Sequence, residues 1–481
     1  MNLRPDAKPN ERSLTVFLLS MMTLVILYGI ENAATMAQIG WGLITAYLLA
    51  AIFILLPVGL VSAELGSGSP PHDGGLYFWV REAFGPRIAF FALFQQWIAW
   101  VFTIPTVFTF VAVSATYIFN PNLQDNQVYT ALVVIAITVI ATGLNLFGVR
   151  KSGIVSVLSI IFLVIIPTVV ILALAINFIA RGGAHTEFSA SELWIFDNSA
   201  ALGWMIAGIN SFLGLEMSAY FLKRLRDPQK QFPLVLIIAG TLAFVFLTLL
   251  TLAVFLVTPA GSVSLTAGIM ETITTLFESQ NLAFLVPIIA AIIAIGGLLK
   301  SSTVVLGPAT GLFASAQYGH LPAKLTKVNK RGAPVSLLVV QGIIVLFATL
   351  AFVVFKSVET TFFLLLTLSV IPYMLAYFCM FAAAIRLRYK QPQVRQDFRV
   401  PGGKVGIWVV CGLGFVASLA VLIEGAVPQA LAPDQKVKGA VAVWVVMIVV
   451  CIAPFLIDRN KPSKALDEEV DAQAVSGHSR D

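Results

Sequence analysis

Charge is what this sequence has least of. Of its 481 residues, 11% are Asp, Glu, Lys or Arg and 58% are hydrophobic, against about 25% charged in a soluble domain. That shortage excludes a water-soluble globular protein, and a mean hydropathy of +0.92 places the chain in a lipid bilayer. Cysteine is nearly absent: Cys379, Cys411 and Cys451 all sit in apolar runs, with no disulfide framework and no zinc-ligand spacing. Histidine is as scarce. His72, His185, His320 and His478 fall in loops or the tail, so no apolar run contains an imidazole. HExxH, Ser/Lys arrangements and carboxylates one helical turn apart are missing from those runs. A membrane-embedded enzyme is therefore not expected, and neither a metal, a cofactor nor nucleic acid is called for. Polar rings repeated along a pore are lacking too, which argues against a passive channel.

What is present is length and apolarity in repeated measure. Twelve runs, each of the length a bilayer demands, lie near 14–38, 42–64, 88–119, 128–148, 153–179, 199–221, 234–257, 283–306, 335–355, 361–385, 405–427 and 439–457. The stretch Met1–Lys8 has no small-residue cleavage site, so the first run reads as a retained span, not a signal peptide. With the N-terminus inside, 25 of the 30 lysines and arginines fall on the inner side, four on the outer side and one within a span. By the positive-inside rule both termini are cytoplasmic and the protein is a multi-pass protein of the inner (cytoplasmic) membrane. The tail beyond Asp458, with its Asp467-Glu468-Glu469 run, reads as solvated chain.

The first run organises the rest. It extends from Ser13 to Gln38 and is interrupted by Tyr28-Gly29-Ile30-Glu31-Asn32. A carboxylate inside a span is costly and reads as functional by default, and glycine beside it suits a helix broken at mid-membrane, where free N–H groups could face an anion. The sixth run carries Gly208-Ile209-Asn210-Ser211-Phe212-Leu213-Gly214-Leu215-Glu216, again glycines, polar side chains and an acid. Spans one and six are five apart, the spacing of two inverted five-span repeats with a binding site between their first helices. Lys300 is the third ionisable group well inside a span; a buried structural ion pair is its bland alternative. Glu64 and Glu424 lie near span ends and are expected to be structural. Gln95 and Gln96 read as interhelical hydrogen-bonding groups at least as readily as path-lining ones. Trp97 and Trp100 read as packing or interface aromatics, and Arg81 and Arg87 as anchors.

Several segments carry a family resemblance. Pro70-Pro71-His72-Asp73-Gly74-Gly75-Leu76-Tyr77 with Gly85-Pro86, Leu144–Gly153, Gly214-Leu215-Glu216 with Asp227-Pro228 and Phe232-Pro233, and Tyr318–Pro322 with Asn329–Pro334 resemble, in order, signatures of the amino acid–polyamine–organocation superfamily of transporters. Leu56–Leu60, Gly307-Pro308 and Phe398–Lys404 are similar to its bacterial glutamate/GABA antiporters. The resemblance implies an all-α fold of twelve transmembrane helices: a LeuT-like 5+5 inverted repeat plus two C-terminal helices, working by alternating access. On this frame residues 1–12 are a cytoplasmic tail, 13–385 the transport core in halves 13–180 and 199–385, 386–457 helices eleven and twelve, and 458–481 the second tail. Those antiporters carry acids where Lys300 and Arg224 stand, and a long tail that plugs the cytoplasmic path, which residues 458–481 do not match.

The expected function is secondary active transport of an amino acid or amine, by exchange or by proton-coupled symport; a non-transporting scaffold or receptor-like homologue is the alternative from another class. The substrate carboxylate is expected on the backbone of Tyr28, Gly29, Ile30, Glu31 and Asn32. The ammonium is expected on carbonyls at Gly208, Ile209, Asn210, Ser211 and Phe212, with Asn210 and Phe212 lining the side-chain end. Glu216 is the candidate gate or proton-sensitive switch. Related folds use the eighth helix in a sodium site, so Lys300, with Ser301, Ser302 and Thr303, could place an ammonium there; equally, Lys300 could be the counter-ion of Glu31 or Glu216. Substrate identity and oligomeric state are open at this stage.

Overall fold

The computed structural model describes residues 14–68, 75–146, 152–197, 199–258, 263–316, 319–329, 333–355, 357–390, 397–426 and 433–458. Residues 1–12, all of the second tail except Asp458, His72, His478 and parts of three signature segments lie outside them. Twelve helices are long and apolar enough to cross a bilayer: Val16–Ala37, Gly40–Gly66, Pro86–Phe119, Gln127–Leu146, Val157–Ala180, Ala200–Arg224, Pro228–Val257, Ala283–Phe313, Val335–Val354, Val358–Lys390, Gly403–Gly425 and Lys436–Ile457. They are the twelve spans in order, each within a few residues of its apolar run.

Burial sorts them into two kinds. The most apolar windows of the third, tenth, sixth and first spans are 94%, 83%, 78% and 72% buried, whereas the other eight lie between 22% and 44%. A helix hydrophobic all round packs on every side only at the centre of a bundle, so spans one, three, six and ten form the middle. The remaining spans turn residues such as Leu132, Ile176, Phe347, Val353 and Ile423 outward, where in a soluble protein they would be a liability but in a bilayer they meet lipid. Both the first and the sixth span are discontinuous, and the candidate site is at their breaks.

Two of the longer connections hold helices that the search for apolar runs passed over, Leu76–Phe84 and Gly268–Glu278. Each is short and amphipathic. In the second, Ile269, Thr272, Ile273, Leu276 and Phe277 are buried, the spacing of one helix face; a helix with a polar face and fewer than a dozen residues escapes a search for long apolar runs.

Two polar clamps tie together the same end of the bundle. Glu64, at the end of the second span, accepts from Arg388 Nη2 at 2.6 Å and from the Val400 amide at 2.7 Å, while Arg388 also donates to the Val400 carbonyl at 3.1 Å. The acid thus holds the tenth span to the segment entering the eleventh, a structural role. His320, fully buried, bonds through Nδ1 to Asp458 at 3.0 Å and through Nε2 to the Tyr77 hydroxyl at 2.8 Å, with its ring stacked on Phe90. It ties the loop after the eighth span to the Leu76–Phe84 helix, the third span and the end of the twelfth. Burial pushes His320 below its ordinary 6.5, with Arg81 adding to this, and the Asp458 carboxylate only partly offsets them.

Two outcomes follow from these clamps. Removing one partner of a buried ion pair costs about 3–5 kcal/mol, so Glu64→Ala is expected to lower the thermal unfolding midpoint of the purified protein sharply, and Glu64→Gln less. For His320, a folded-state pKa below the unfolded one means that its stabilisation is complete above about pH 6.5 and is lost as pH falls through that value and below. Acidification should therefore lower the midpoint of the wild type more than that of His320→Gln; parallel curves would refute the assignment.

Candidate functional site

The first span runs as a helix over Val16–Leu27, opens at Tyr28 and Gly29, tightens into a 3-10 turn at Ile30–Asn32 and resumes as Ala33–Ala37. The sixth runs as a helix over Ser199–Asn210, turns through residues 211–214, and continues as a 3-10 stretch Leu215–Arg224. The two breaks touch. Asn32 Nδ2 donates to Asn210 Oδ1 and to Ser211 Oγ, both at 3.1 Å. Asn32 Oδ1 is buried and has no donor among the described residues, an unfilled acceptor where the two helices meet.

Glycine matters here for two different reasons. Gly29 has an ordinary negative φ of −87°, so its role is space: a Cβ there would stand 2.6 Å from Asn32 Nδ2 and 3.1 Å from Ser211 Oγ, inside the contact that joins the breaks. Gly214 has φ +99°, and a Cβ would also stand 2.7 Å from Ile26 Cγ2 and 3.0 Å from Trp100 Cζ2. The turn of the sixth span therefore centres on 211–214, slightly after the 208–212 expected. Gly208 remains helical and serves the close approach of Met36, whose sulfur lies 2.8 Å from a Cβ built there.

The three intramembrane charges divide into one pair and one solitary acid. Lys300 Nζ donates to Glu31 Oε1 at 3.1 Å and Oε2 at 3.3 Å, and to the Tyr28 carbonyl at 3.0 Å. Both side chains are at most 4% exposed. Lys300 thus serves as counter-ion to Glu31 and simultaneously caps a carbonyl that the break sets free. Glu216 is elsewhere: its carboxylate accepts from Gln96 Nε2 at 2.5 Å, from the Tyr373 hydroxyl at 2.7 Å and from the Tyr377 hydroxyl at 2.7 Å. Tyr377 in turn accepts from the Gly214 amide at 3.1 Å, and Tyr220 donates to Gln96 Oε1 at 2.5 Å. This network ties the third, sixth and tenth spans together directly below the second break.

Two cavities flank the breaks. A central one of about 10 Å³, room for roughly one water, is lined by Gly29, Glu31, Lys300, Asn210, Thr103 and Tyr373, with Ile26, Trp100, Val107 and leucines closing it. A vestibule of about 370 Å³ opens where the start of the first span meets the end of the sixth, and Met22, Thr23, Met217, Tyr220, Arg224 and Thr303 line it. Ile26 and Trp100 border both.

The remaining expected residues are placed as follows. The Tyr28 hydroxyl turns to Thr168 of the fifth span at 2.6 Å. Phe212 is fully buried against Tyr47 and Phe244 and lines neither cavity. Ser301 bonds back to the Leu298 carbonyl, Ser302 pairs with Asn145 of the fourth span, and Ile30 and Ile209 are buried packing residues. Gln95 donates to Val450 of the twelfth span and Trp97 to Gln341 of the ninth. Sequence reasoning missed Tyr373 and Tyr377, whose signal was a hydroxyl pair one helical turn apart in a central span, and undervalued Trp100.

Comparison with known proteins places this geometry in context. The model of the amino acid permease family matches residues 12–452. An uncharacterized transporter of Legionella pneumophila is 32% identical over 429 residues, covering 89% of this chain and 92% of the relative. A glutamate/gamma-aminobutyrate antiporter of Lactococcus lactis is 28% identical, covering 93% and 90%. A D-serine/D-alanine/glycine transporter of Escherichia coli is 22% identical, covering 73% and 75%.

The two glycines give a paired test. A left-handed backbone costs an L-residue about 1–2 kcal/mol before any clash, so Gly214→Ala is expected to lower the unfolding midpoint well below that of Gly208→Ala, whose neighbour is a flexible methionine end. Equal midpoints would contradict the turn described for residues 211–214.

Proposed function

This chain belongs to the amino acid permease family, and we propose that it is a secondary active transporter of the cytoplasmic membrane, exchanging one amino acid for another amino acid or an amine by alternating access. The mode follows the relatives named as glutamate/gamma-aminobutyrate antiporters. The observation that carries the reading is the direct meeting of two helix breaks, five spans apart, inside the bundle. That relation supports halves 13–180 and 199–385 as inverted repeats, with substrate held between their first helices.

At such a junction the chemistry suits a zwitterion. Beyond the break the first span restarts at Ile30, and the N-terminal end of a helical segment favours an anion; the α-carboxylate binds there, across Gly29–Asn32. Carbonyls released by the turn of the sixth span, together with the unfilled Asn32 Oδ1, take the α-ammonium. The distribution of basic residues supports a cytoplasmic vestibule, and on that reading this conformation is closed to the outside and open inward as far as Ile26 and Trp100. On the opposite side Gln38 Nε2 donates to the Val263 carbonyl, and Ala34 packs against Gly268, sealing the outer path. Release requires Ile26 and Trp100 to part.

Glu216 supports proton symport as the second reading. Among the described residues it is hydrogen-bonded only to neutral groups, and an intramembrane acid without a cation is a natural proton carrier. Proteoliposomes distinguish the modes. Vesicles loaded with unlabelled amino acid should accumulate the labelled compound by counterflow, without an imposed gradient. Accumulation in unloaded vesicles only when the outside is acidified would replace exchange by symport, and no accumulation in either format would leave a scaffold.

A further inference from the structure

The charge arithmetic of the central cavity says something about what it accepts. Glu31 and Lys300 are the charged side chains among those lining it, and they neutralise one another. The ammonium's hydrogen-bonding capacity is taken by two carboxylate oxygens and one carbonyl. The other side chains that offer polar atoms, Trp100, Asn210, Thr103 and Tyr373, are uncharged. Glu216 lies outside the lining, its oxygens occupied by Gln96, Tyr373 and Tyr377. A ligand carrying net charge would have to leave water for a buried place with no free opposite charge, which is expensive. A zwitterion with an uncharged side chain faces no such penalty, because the two broken helices supply partial charges of both signs.

We propose that the Glu31–Lys300 pair is the specificity determinant of this site and fixes the net charge of the substrate at zero, selecting zwitterions over acidic amino acids and diamines. The inference rests on the transport reading above and narrows it. It also identifies what each partner does: Lys300 cancels the attraction Glu31 would exert on amines, and Glu31 cancels the attraction Lys300 would exert on a second carboxylate.

The test uses purified full-length protein in liposomes near neutral pH, with labelled alanine as the probe and alanine, gamma-aminobutyrate, glutamate and putrescine as competitors in counterflow. Alanine and gamma-aminobutyrate should compete, and glutamate and putrescine should be at least about tenfold weaker, the factor that about 1.4 kcal/mol represents. Glu31→Gln leaves the Lys300 charge uncompensated and should move the preference toward glutamate by a similar factor. Lys300→Gln should move it toward putrescine, and the double variant, neutral again, should restore the wild-type order whatever its rate. Wild-type competition by glutamate or putrescine equal to alanine's would overturn the charge assignment while leaving transport intact, and that comparison stands even where a variant does not fold. Absence of counterflow with labelled alanine, glutamate and putrescine alike would overturn the transport reading and this inference with it.

Discussion

Breaking a helix in a bilayer releases peptide groups that lipid cannot satisfy, at several kcal/mol for each one left alone. The middle of this molecule is arranged around meeting that demand twice. At the first break the Tyr28 carbonyl is taken by the Lys300 ammonium; at the second the Gly214 amide is taken by the Tyr377 hydroxyl. Each remedy introduces a polar side chain that itself needs a partner, and each partner is a carboxylate on the broken span: Glu31 for Lys300, Glu216 for Tyr377. The two intramembrane acids are thus consequences of the same constraint, met by a cation at the first break and by phenols at the second.

That difference separates their chemistry. An ion pair at 3.1 Å whose partners are almost wholly buried is suited to hold a shape and to set a fixed local charge, because removing either side chain would strand the other. A carboxylate held by two phenols and an amide can gain a proton without stranding an opposite charge. The Glu216 network joins the third, sixth and tenth spans.

The sequence displayed the frame of this structure because the bilayer imposes it residue by residue. Twelve apolar runs and the distribution of lysine and arginine need no tertiary information, and Gly29-Ile30-Glu31-Asn32 announced a break by putting a conformationally free glycine beside an acid that lipid tolerates poorly. Contacts set by packing were out of reach. Which acid pairs with Lys300 depends on the depth and rotation of the eighth span, so Glu31 and Glu216 were equal candidates. Phe212 follows Asn210 and Ser211 so closely that it was read as lining the same site, yet the turn points its ring at Tyr47 and Phe244. Tyr373 and Tyr377 resemble ordinary membrane aromatics until the fold brings Glu216 beneath them. The helices Leu76–Phe84 and Gly268–Glu278 were hidden by their polar faces.

Trp100 shows how the pieces are coupled. It lines both the central cavity and the vestibule, its ring close enough to Gly214 to exclude a Cβ, and its Nε1 donates at 3.3 Å to the same Tyr373 hydroxyl that binds Glu216. Displacing the indole would therefore disturb that hydroxyl, and through it the acid. The converse holds as well: a change at Glu216 alters the donor that helps fix the indole. Coupling of this kind needs an element with two discrete arrangements that both sites bias. The indole shares the lining of both cavities with Ile26, and both side chains stand against Gly214 in the turn of the sixth span.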